Sequence, residues 1–215
     1  MPRTIVVGDI HGCFDELCDL LAAIKLKRND RVIAVGDLVV KGPKSIEVLE
    51  LFINDARFSS VIGNHDRKLR QRWRGEPVRL TKEQRTTLAE LEFHRDRYFE
   101  YLRSLPYIID LRSHLVVHAG VRPGVPLRRQ TADDMTEIRT MGADPASRTG
   151  VPWFDVYRGS RIVLFGHWPA EKPLRARRAI GLDTACVYGG RLTALIVETG
   201  QFVSVPARKK YSKKR

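Results

Sequence analysis

Apolar residues in the first third of the chain follow two alternating patterns. Short strand-like runs, each followed by a glycine, predict three strands at residues 4–7, 31–35 and 59–62. After the first run, apolar side chains recur at the spacing of one helix face, at Phe14, Leu17, Leu21 and Ile24. Gly42-Pro43 indicates the start of a second helix over residues 45–53, with Ser45 as its N-cap. The alternation of strands and helices predicts an α/β protein.

The pattern changes after residue 63. Residues 66–105 are highly charged and follow a helical pattern, which predicts an insertion of two helices. After Pro106 the apolar runs are short and are separated by glycine and proline. They predict strands at residues 107–111, 115–117, 162–165, 192–197 and 202–205. We therefore expect one domain over residues 1–206, followed by a basic, disordered tail at residues 207–215.

Composition excludes several classes of protein. Hydrophobic residues make up 43% of the 215 positions and charged residues 29%, close to the globular averages of ~45–50% and ~25%. No apolar run approaches the ~18–20 residues that span a bilayer, and we expect no signal sequence, because a strand begins at residue 4. Three scattered cysteines form neither a disulfide pattern nor a thiolate metal motif. These features predict a cytoplasmic protein with no membrane partner.

The net charge of +13 predicts a polyanionic partner. Six of the eight residues at 208–215 are basic, and without this acid-free tail the net charge is +7. Eight more basic residues lie between Arg67 and Arg85, among only two acids. We expect this second group to line the approach to a site, with Trp73 either stacking on a base or packed in the core.

Potential metal ligands recur in loops that follow the predicted strands. The five segments are Gly8-Asp9-Ile10-His11-Gly12, Gly36-Asp37, Gly63-Asn64-His65-Asp66, His118-Ala119-Gly120 and Gly166-His167. Glycine allows a tight turn at the end of a strand and leaves a polar side chain at the carboxyl edge of the sheet, where α/β folds build their sites. Donors of the Asp, Asn and His types suit Mn²⁺, Fe or Zn²⁺, and one carboxylate can bridge two ions.

In this order, the five segments resemble those of the phosphoprotein-phosphatase-type metallophosphoesterases, over residues 4–197. The resemblance implies a β-sandwich of two mixed sheets flanked by helices, with a dimetal site at the carboxyl ends of the strands. It implies Asp9 and His11 on the first metal, Asp37 as the bridge, and Asn64, His118 and His167 on the second metal. We expect two divalent ions, Mn²⁺ first, with Fe, Zn²⁺ or Co²⁺ as alternatives.

Other residues are candidates for catalysis and substrate binding. His65 resembles the family's general acid, and an imidazole next to a ligand Asn is suitably placed to protonate a leaving oxygen. Arg139 resembles the arginine that the family directs at phosphate, and its planar donors suit phosphate oxygens. Arg122 and Arg158 compete with Arg139 for this role. Arg67 is a further predicted substrate-binding residue.

The second loop departs from the pattern of the protein phosphatases. Where they have Gly-Asp-x-Val-Asp-Arg-Gly, this chain has Gly36-Asp37-Leu38-Val39-Val40-Lys41-Gly42. Val40 replaces the Asp that orients the acid histidine. Lys41 replaces a phosphate-binding Arg, and we expect it to bind substrate and assist catalysis as a positive charge without the bidentate fork. Lys41-Gly42-Pro43-x-Ser45 and the segment at 181–195 instead resemble the ApaH-like phosphatases, which are similar to symmetrical diadenosine tetraphosphate hydrolases.

The expected function is metal-dependent hydrolysis of phosphoanhydride or phosphoester bonds by direct attack of a metal-bound water. The resemblance implies polyphosphorylated substrates, namely dinucleoside polyphosphates, polyphosphate or capped RNA, the last with contact to an RNA end. Two alternatives remain: a Ser/Thr phosphoprotein phosphatase with broad monoesterase activity, and a catalytically weak polyanion-binding protein. The intact ligand set favours an enzyme over the second alternative. No feature of the sequence indicates an oligomeric state.

Overall fold

The computed structural model describes residues 2–142 and 144–213. These residues contain the strands β1 (Thr4–Val7), β2 (Arg31–Ala34), β3 (Phe58–Ser60), β4 (Ile108–Asp110), β5 (His114–Val117), β6 (Thr140–Met141), β7 (Val151–Pro152), β8 (Ile162–Phe165), β9 (Leu174–Ala176), β10 (Ala179–Gly181), β11 (Arg191–Ile196) and β12 (Gln201–Pro206). They also contain the helices α1 (Phe14–Ile24), α2 (Ser45–Asn54), α3 (Asn64–Trp73), α4 (Lys82–Leu91), α5 (Arg95–Ser104), α6 (Ala132–Glu137) and α7 (Trp153–Val156). Among the described residues, no helix has the length and apolar character needed to cross a membrane.

The strands form two five-stranded mixed sheets. The first has the order β12-β11-β1-β2-β3, in which β1, β2 and β3 are parallel and β11 is antiparallel to both neighbours. The second has the order β4-β5-β8-β10-β9, with three parallel strands in the centre and an antiparallel strand at each edge. A separate antiparallel pair consists of β6 and β7. The predicted βαβ order of the first three strands is confirmed.

Alternating side chains along the strands build the layers of the core. Val6, Ile33 and Leu195 of the first sheet share one buried cluster with Val116 and Leu164 of the second sheet. Because successive side chains of a strand point to opposite faces, the residues beside them point outward. In the first sheet these residues pack against α1, α2, α3 and α5. In the second sheet they pack against α7. The predicted sandwich of two sheets flanked by helices is therefore confirmed.

The region after β3 holds three α-helices rather than the predicted two. α3 begins at Asn64, inside the third predicted metal loop, so this motif and the first helix are continuous. The chain turns at Gly75, where φ is 78°, and α4 then begins at a capping box in which Thr81 Oγ1 accepts from the Gln84 amide. Trp73 is buried in the core, so it is not exposed for stacking on a base.

The C-terminal segment, residues 207–213, contacts the fold through several hydrogen bonds, and residues 214–215 of the predicted basic tail lie outside the described residues. The buried Glu16 carboxyl of α1 accepts hydrogen bonds from the Arg208 amide at 2.9 Å and from the Tyr211 hydroxyl at 2.7 Å. The amides of Tyr211 and Ser212 both donate to the Val187 carbonyl at 3.0 Å. A buried acid on α1, which the apolar pattern does not reveal, thus gives the segment a fixed partner.

Candidate metal centre

The predicted metal loops converge at one edge of the sandwich. Asp9 and Asp37 follow β1 and β2, Asn64 and His65 begin α3 after β3, and His118 and His167 follow β5 and β8 of the second sheet. Parallel strands carry their carboxyl ends to one edge of a sheet, so loops that are distant in sequence meet there. Five of the six predicted ligands and His65 line a cavity of about 230 Å³. The sixth ligand, His118, is fully buried.

Asp37 belongs to two groups of side chains that are close enough to hold a metal ion. One group is His11, Asp37 and His65, and the other is Asp9, Asp37 and His118; the ligand atoms of each group lie within 4.8 Å of one another. Asp37 Oδ2 is 3.4 Å from His11 Nε2 and 3.6 Å from His118 Nε2. A carboxylate between two histidines from different loops has the arrangement expected of a bridging ligand. His65, which is predicted to act as an acid, also lies within ligand distance of the first group.

Asn64 and His167 both contact His118. Asn64 Oδ1 is 3.1 Å from His118 Nε2, and the rings of His118 and His167 meet edge to face with their centroids 5.0 Å apart. The His167 amide donates to both carboxylate oxygens of Asp9 at 3.2 Å. Among the described residues, nothing forms a hydrogen bond with the buried Nε2 of His167. Buried polar atoms are normally paired, so this nitrogen has the character of a metal ligand.

Burial keeps three histidine rings neutral, as metal binding requires, and disfavours the charged form of two aspartates. Desolvation lowers the pKa of His118 to about 4, and it lowers the pKa values of His11 and His167 well below their usual range. All three rings are therefore neutral at pH 7. Desolvation also raises the pKa of Asp37 to about 7 and raises the pKa of Asp9 well above its usual range. A divalent cation stabilises such buried carboxylates and takes neutral imidazoles as ligands, so the donor set fits divalent metal ions.

Two of the predicted phosphate-binding residues lie in the wall of the cavity. The Lys41 ammonium is 2.9 Å from His11 Nε2 and 5.3 Å from the centre of the Tyr188 ring. An ammonium can only donate, so His11 Nε2 carries a lone pair that faces Lys41. Arg139 lines the same cavity and donates through Nη2 to the His167 carbonyl at 3.4 Å. Both cations therefore reach the space beside the candidate ligands.

Arg67 does not line the cavity, in contrast to its prediction as a substrate-binding residue. Its guanidinium forms an ion pair with Asp133. Of the basic group that begins with Arg67, Lys68 is the member that the described cavity lining includes. Successive side chains of a helix point in different directions, so a charged run on α3 cannot all face the site. Arg122 and Arg158, the competitors of Arg139, also lie outside the described lining.

The loop after β2 has an unusual backbone conformation. Asp37, Val40 and Lys41 have φ angles of 50°, 76° and 76°, in a region that a β-branched residue such as Val40 rarely adopts. The buried carboxyl of Asp66 accepts hydrogen bonds from the amides of Leu38, Val39 and Gly63. Ser45 is the first residue of α2 rather than its predicted N-cap, and its hydroxyl accepts from the Val40 amide. These contacts hold Asp37 in its strained position.

Several residues that line the cavity were not predicted from the sequence. Gln84 Nε2 lies 3.2 Å from His65 Nδ1. Asp183 lines the cavity, as do Ser212 and Lys213 of the C-terminal segment. A capping-box pattern, Thr-x-x-Gln, indicates the start of α4 but not its contact with the site. Asp183 follows β10 in the same way as the other loop carboxylates follow their strands, so strand prediction at residues 179–181 would have found it.

The sandwich and the convergent Asp, Asn and His loops define a metallophosphoesterase. The chain matches the family model of the calcineurin-like phosphoesterases over residues 2–197 and belongs to that family. It is therefore a metal-dependent phosphatase. The resemblance to phosphoprotein-phosphatase-type metallophosphoesterases is confirmed.

Relatives named bis(5'-nucleosyl)-tetraphosphatase align over almost the whole chain. The asymmetrical enzyme PrpE of Bacillus subtilis (strain 168) is 32% identical, over 98% of this chain and 97% of its own. A symmetrical enzyme of Vibrio parahaemolyticus is 29% identical, over 95% of this chain and 98% of its own. A solved structure described as "Crystal structure of a putative diadenosine tetraphosphatase" has a TM-score of 0.80 and 36% identity, over 96% of both chains. The resemblance to the ApaH-like branch is thereby confirmed.

Proposed function

We propose that this protein is a dimetal phosphohydrolase that cleaves a phosphoanhydride bond in dinucleoside polyphosphates. The observation that carries this proposal is a single cavity that combines the candidate metal ligands with several cations. The basic residues in its wall are Lys41, Lys68, Arg139, Arg148 and Lys213. A polyphosphate bridge carries about one negative charge per phosphate, so it requires cations on more than one side of the reacting phosphorus. A phosphomonoester has no such requirement.

Six side chains are the proposed ligands: Asp9, His11, Asp37 as the bridge, Asn64, His118 and His167. When bound, the two ions supply Lewis acidity, which lowers the pKa of water and neutralises phosphate oxygens. Mn²⁺ is the proposed ion, because mixed carboxylate, amide and imidazole donors suit ions of intermediate hardness; Fe, Zn²⁺ and Co²⁺ have the same preference. The buried Nε2 of His167, which has no hydrogen-bond partner among the described residues, supports a metal at that end of the site.

His65 is the proposed catalytic group at the leaving oxygen. Its ring lines the cavity and meets the His11 ring edge to face, with centroids 5.1 Å apart. Lys41 and Arg139 are the proposed contacts to phosphate oxygens, because both reach the cavity beside the ligands. Arg139 can offer two parallel donors, whereas Lys41 offers a point charge.

A cytoplasmic location is part of the proposal. The three cysteines are free, and two of them are buried within the fold, which suits a reducing compartment. Polyphosphate and capped RNA ends contain the same phosphoanhydride bonds as dinucleoside polyphosphates. Both are therefore included as competing substrates in the test of the proposal.

Product analysis with a substrate panel tests this function. The panel contains diadenosine tetraphosphate, long-chain polyphosphate, a capped RNA and a phosphopeptide, each with Mn²⁺, Zn²⁺, Co²⁺ or Mg²⁺ alone. We expect the highest kcat/KM for diadenosine tetraphosphate. ADP as the sole product identifies symmetrical cleavage, and ATP with AMP identifies asymmetrical cleavage. A preference for the phosphopeptide would contradict the proposal in favour of a protein phosphatase, and binding without hydrolysis would favour a polyanion-binding protein.

A matched pair of variants tests the role of the cationic wall. Arg148→Gln removes a cation from the cavity wall and should raise KM for diadenosine tetraphosphate more than KM for p-nitrophenyl phosphate. Arg178→Gln removes an exposed arginine outside the described cavity lining and should change neither value. If the two variants changed both KM values equally, the cationic wall would no longer support a polyphosphate substrate.

A further inference from the structure

We propose that Gln84 fixes the tautomer of His65 and thereby matches the site to leaving groups that depart as stable anions. The inference rests on the proposed function, in which His65 faces the leaving oxygen. The side chain of Val40, at the position where the protein phosphatases have an Asp, is apolar and fully buried and offers His65 no hydrogen bond. His65 Nδ1 lies instead 3.2 Å from Gln84 Nε2.

The amide of Gln84 is held in one orientation. Gln84 is 1% exposed, and its Oε1 accepts from the Thr81 backbone amide at 2.9 Å. Thr81 Oγ1 accepts in return from the Gln84 backbone amide, which completes the capping box of α4. Because a backbone N–H can only donate, the atom of the Gln84 side chain that faces it is the oxygen. The NH₂ group therefore faces His65 and donates to Nδ1.

This hydrogen bond decides where the ring proton of His65 lies. An imidazole nitrogen that accepts a hydrogen bond carries no proton, so neutral His65 has its proton on Nε2. In a histidine–aspartate pair the hydrogen bond at Nδ1 runs in the opposite direction. There the carboxylate accepts from Nδ1–H and stabilises the doubly protonated ring. With Gln84 as the partner of Nδ1, His65 presents an Nε2–H hydrogen-bond donor.

An Nε2–H donor suits the hydrolysis of a phosphoanhydride. The reaction forms a P–O bond to water and breaks the bridging P–O bond, whose electron pair leaves with the nucleoside phosphate. The proton of the attacking water passes to solvent. The departing phosphate is a stable anion at neutral pH, so a hydrogen bond to it is sufficient. An alkoxide that leaves an alkyl phosphate needs a proton, which a neutral imidazole supplies poorly. Gln84 is thus a positioning residue that sets substrate preference through His65.

Gln84→Glu separates this role from helix capping. Glu keeps the capping bond to the Thr81 amide, but its second oxygen accepts from Nδ1–H and so moves the proton on His65. We expect kcat/KM for an alkyl phosphate to rise about tenfold relative to that for diadenosine tetraphosphate. Gln84→Met, which removes both bonds, should lower kcat for both substrates. Gln71→Glu adds the same charge on α3 and should leave the ratio unchanged.

Nitrogen-15 NMR of the Zn²⁺-loaded protein reads the tautomer directly. Wild-type His65 should carry its proton on Nε2, and His65 in Gln84→Glu should carry a proton on Nδ1. The inference is overturned by Nδ1–H in the wild type, by a metal-bound His65 ring, or by an unchanged substrate ratio in Gln84→Glu at unchanged Tm. Failure of the wild type to hydrolyse any substrate would overturn the proposed function instead, and the NMR result would still decide the tautomer.

Discussion

Replacing Tyr211 by Phe should weaken the docking of the C-terminal segment without changing a candidate metal ligand. The Tyr211 hydroxyl donates to Glu16 Oε1 at 2.7 Å, and Glu16 is fully buried. Burial raises the pKa of this hydroxyl, so it remains a protonated donor at neutral pH. One such hydrogen bond contributes about 1 kcal/mol net. Its loss should lower the ratio of docked to undocked segments about fivefold.

Hydrogen exchange measured by NMR reports that ratio. The backbone amides of residue 211 and Ser212 donate to the Val187 carbonyl at 3.0 Å and exchange when the segment opens. We expect exchange about fivefold faster in Tyr211→Phe than in the wild type. The control is Tyr157→Phe, whose ring packs on the outer side of the second sheet and should leave these rates unchanged. Equal rates in Tyr211→Phe and the wild type would refute this anchor and weaken the case for Lys213 as part of the cavity wall.

Three further substitutions test the site and the fold. Gly166→Ala should lower the free energy of unfolding by about 1–3 kcal/mol and reduce kcat, because its Cβ would overlap the Asp9 carboxylate; an unchanged Tm would contradict this. Asp30→Asn should lower the free energy of unfolding by about 2 kcal/mol at pH 7, because the hydrogen bond and charge of Arg3 hold the pKa of Asp30 below its usual range. A carboxyl with a lowered pKa stabilises the fold at pH values above its unfolded pKa of ~3.9. The difference in free energy of unfolding between Asp30→Asn and the wild type, measured by urea titration, should therefore shrink below about pH 4. A difference that stays constant with pH would contradict this prediction. Asp37→Asn should abolish hydrolysis of p-nitrophenyl phosphate with Mn²⁺, and full activity would remove Asp37 from the site.

The parts of the molecule that the sequence predicts correctly are those governed by local rules. A short apolar run followed by glycine and a polar residue places Asp9 and Asp37 at strand ends without knowledge of distant contacts. Because parallel strands share a carboxyl edge, the convergence of these loops also follows from the order of elements. The predicted number of helices is wrong in the charged region, because a turn at Gly75 and a new cap at Thr81 divide it.

The remaining parts depend on contacts between residues that are far apart in the chain. The helical pattern predicts that Glu16 is an exposed position of α1. It is buried because the segment around Tyr211 covers it. Gln84 reads as a helix cap, and its contact with His65 arises only when α4 packs beside α3. The direction of Arg67 depends on Asp133, 66 positions away. Periodicity and composition carry no information about such pairs.

The central claim is that Asp37 joins two metal positions at the edge of the sandwich. Anomalous X-ray scattering at the manganese absorption edge, from crystals of the Mn²⁺-loaded protein, tests it most directly. The predicted result is two peaks about 3.5–4 Å apart, with Asp37 between them and His167 Nε2 bound at one of them. A single peak, or two peaks that Asp37 does not contact, would contradict the claim.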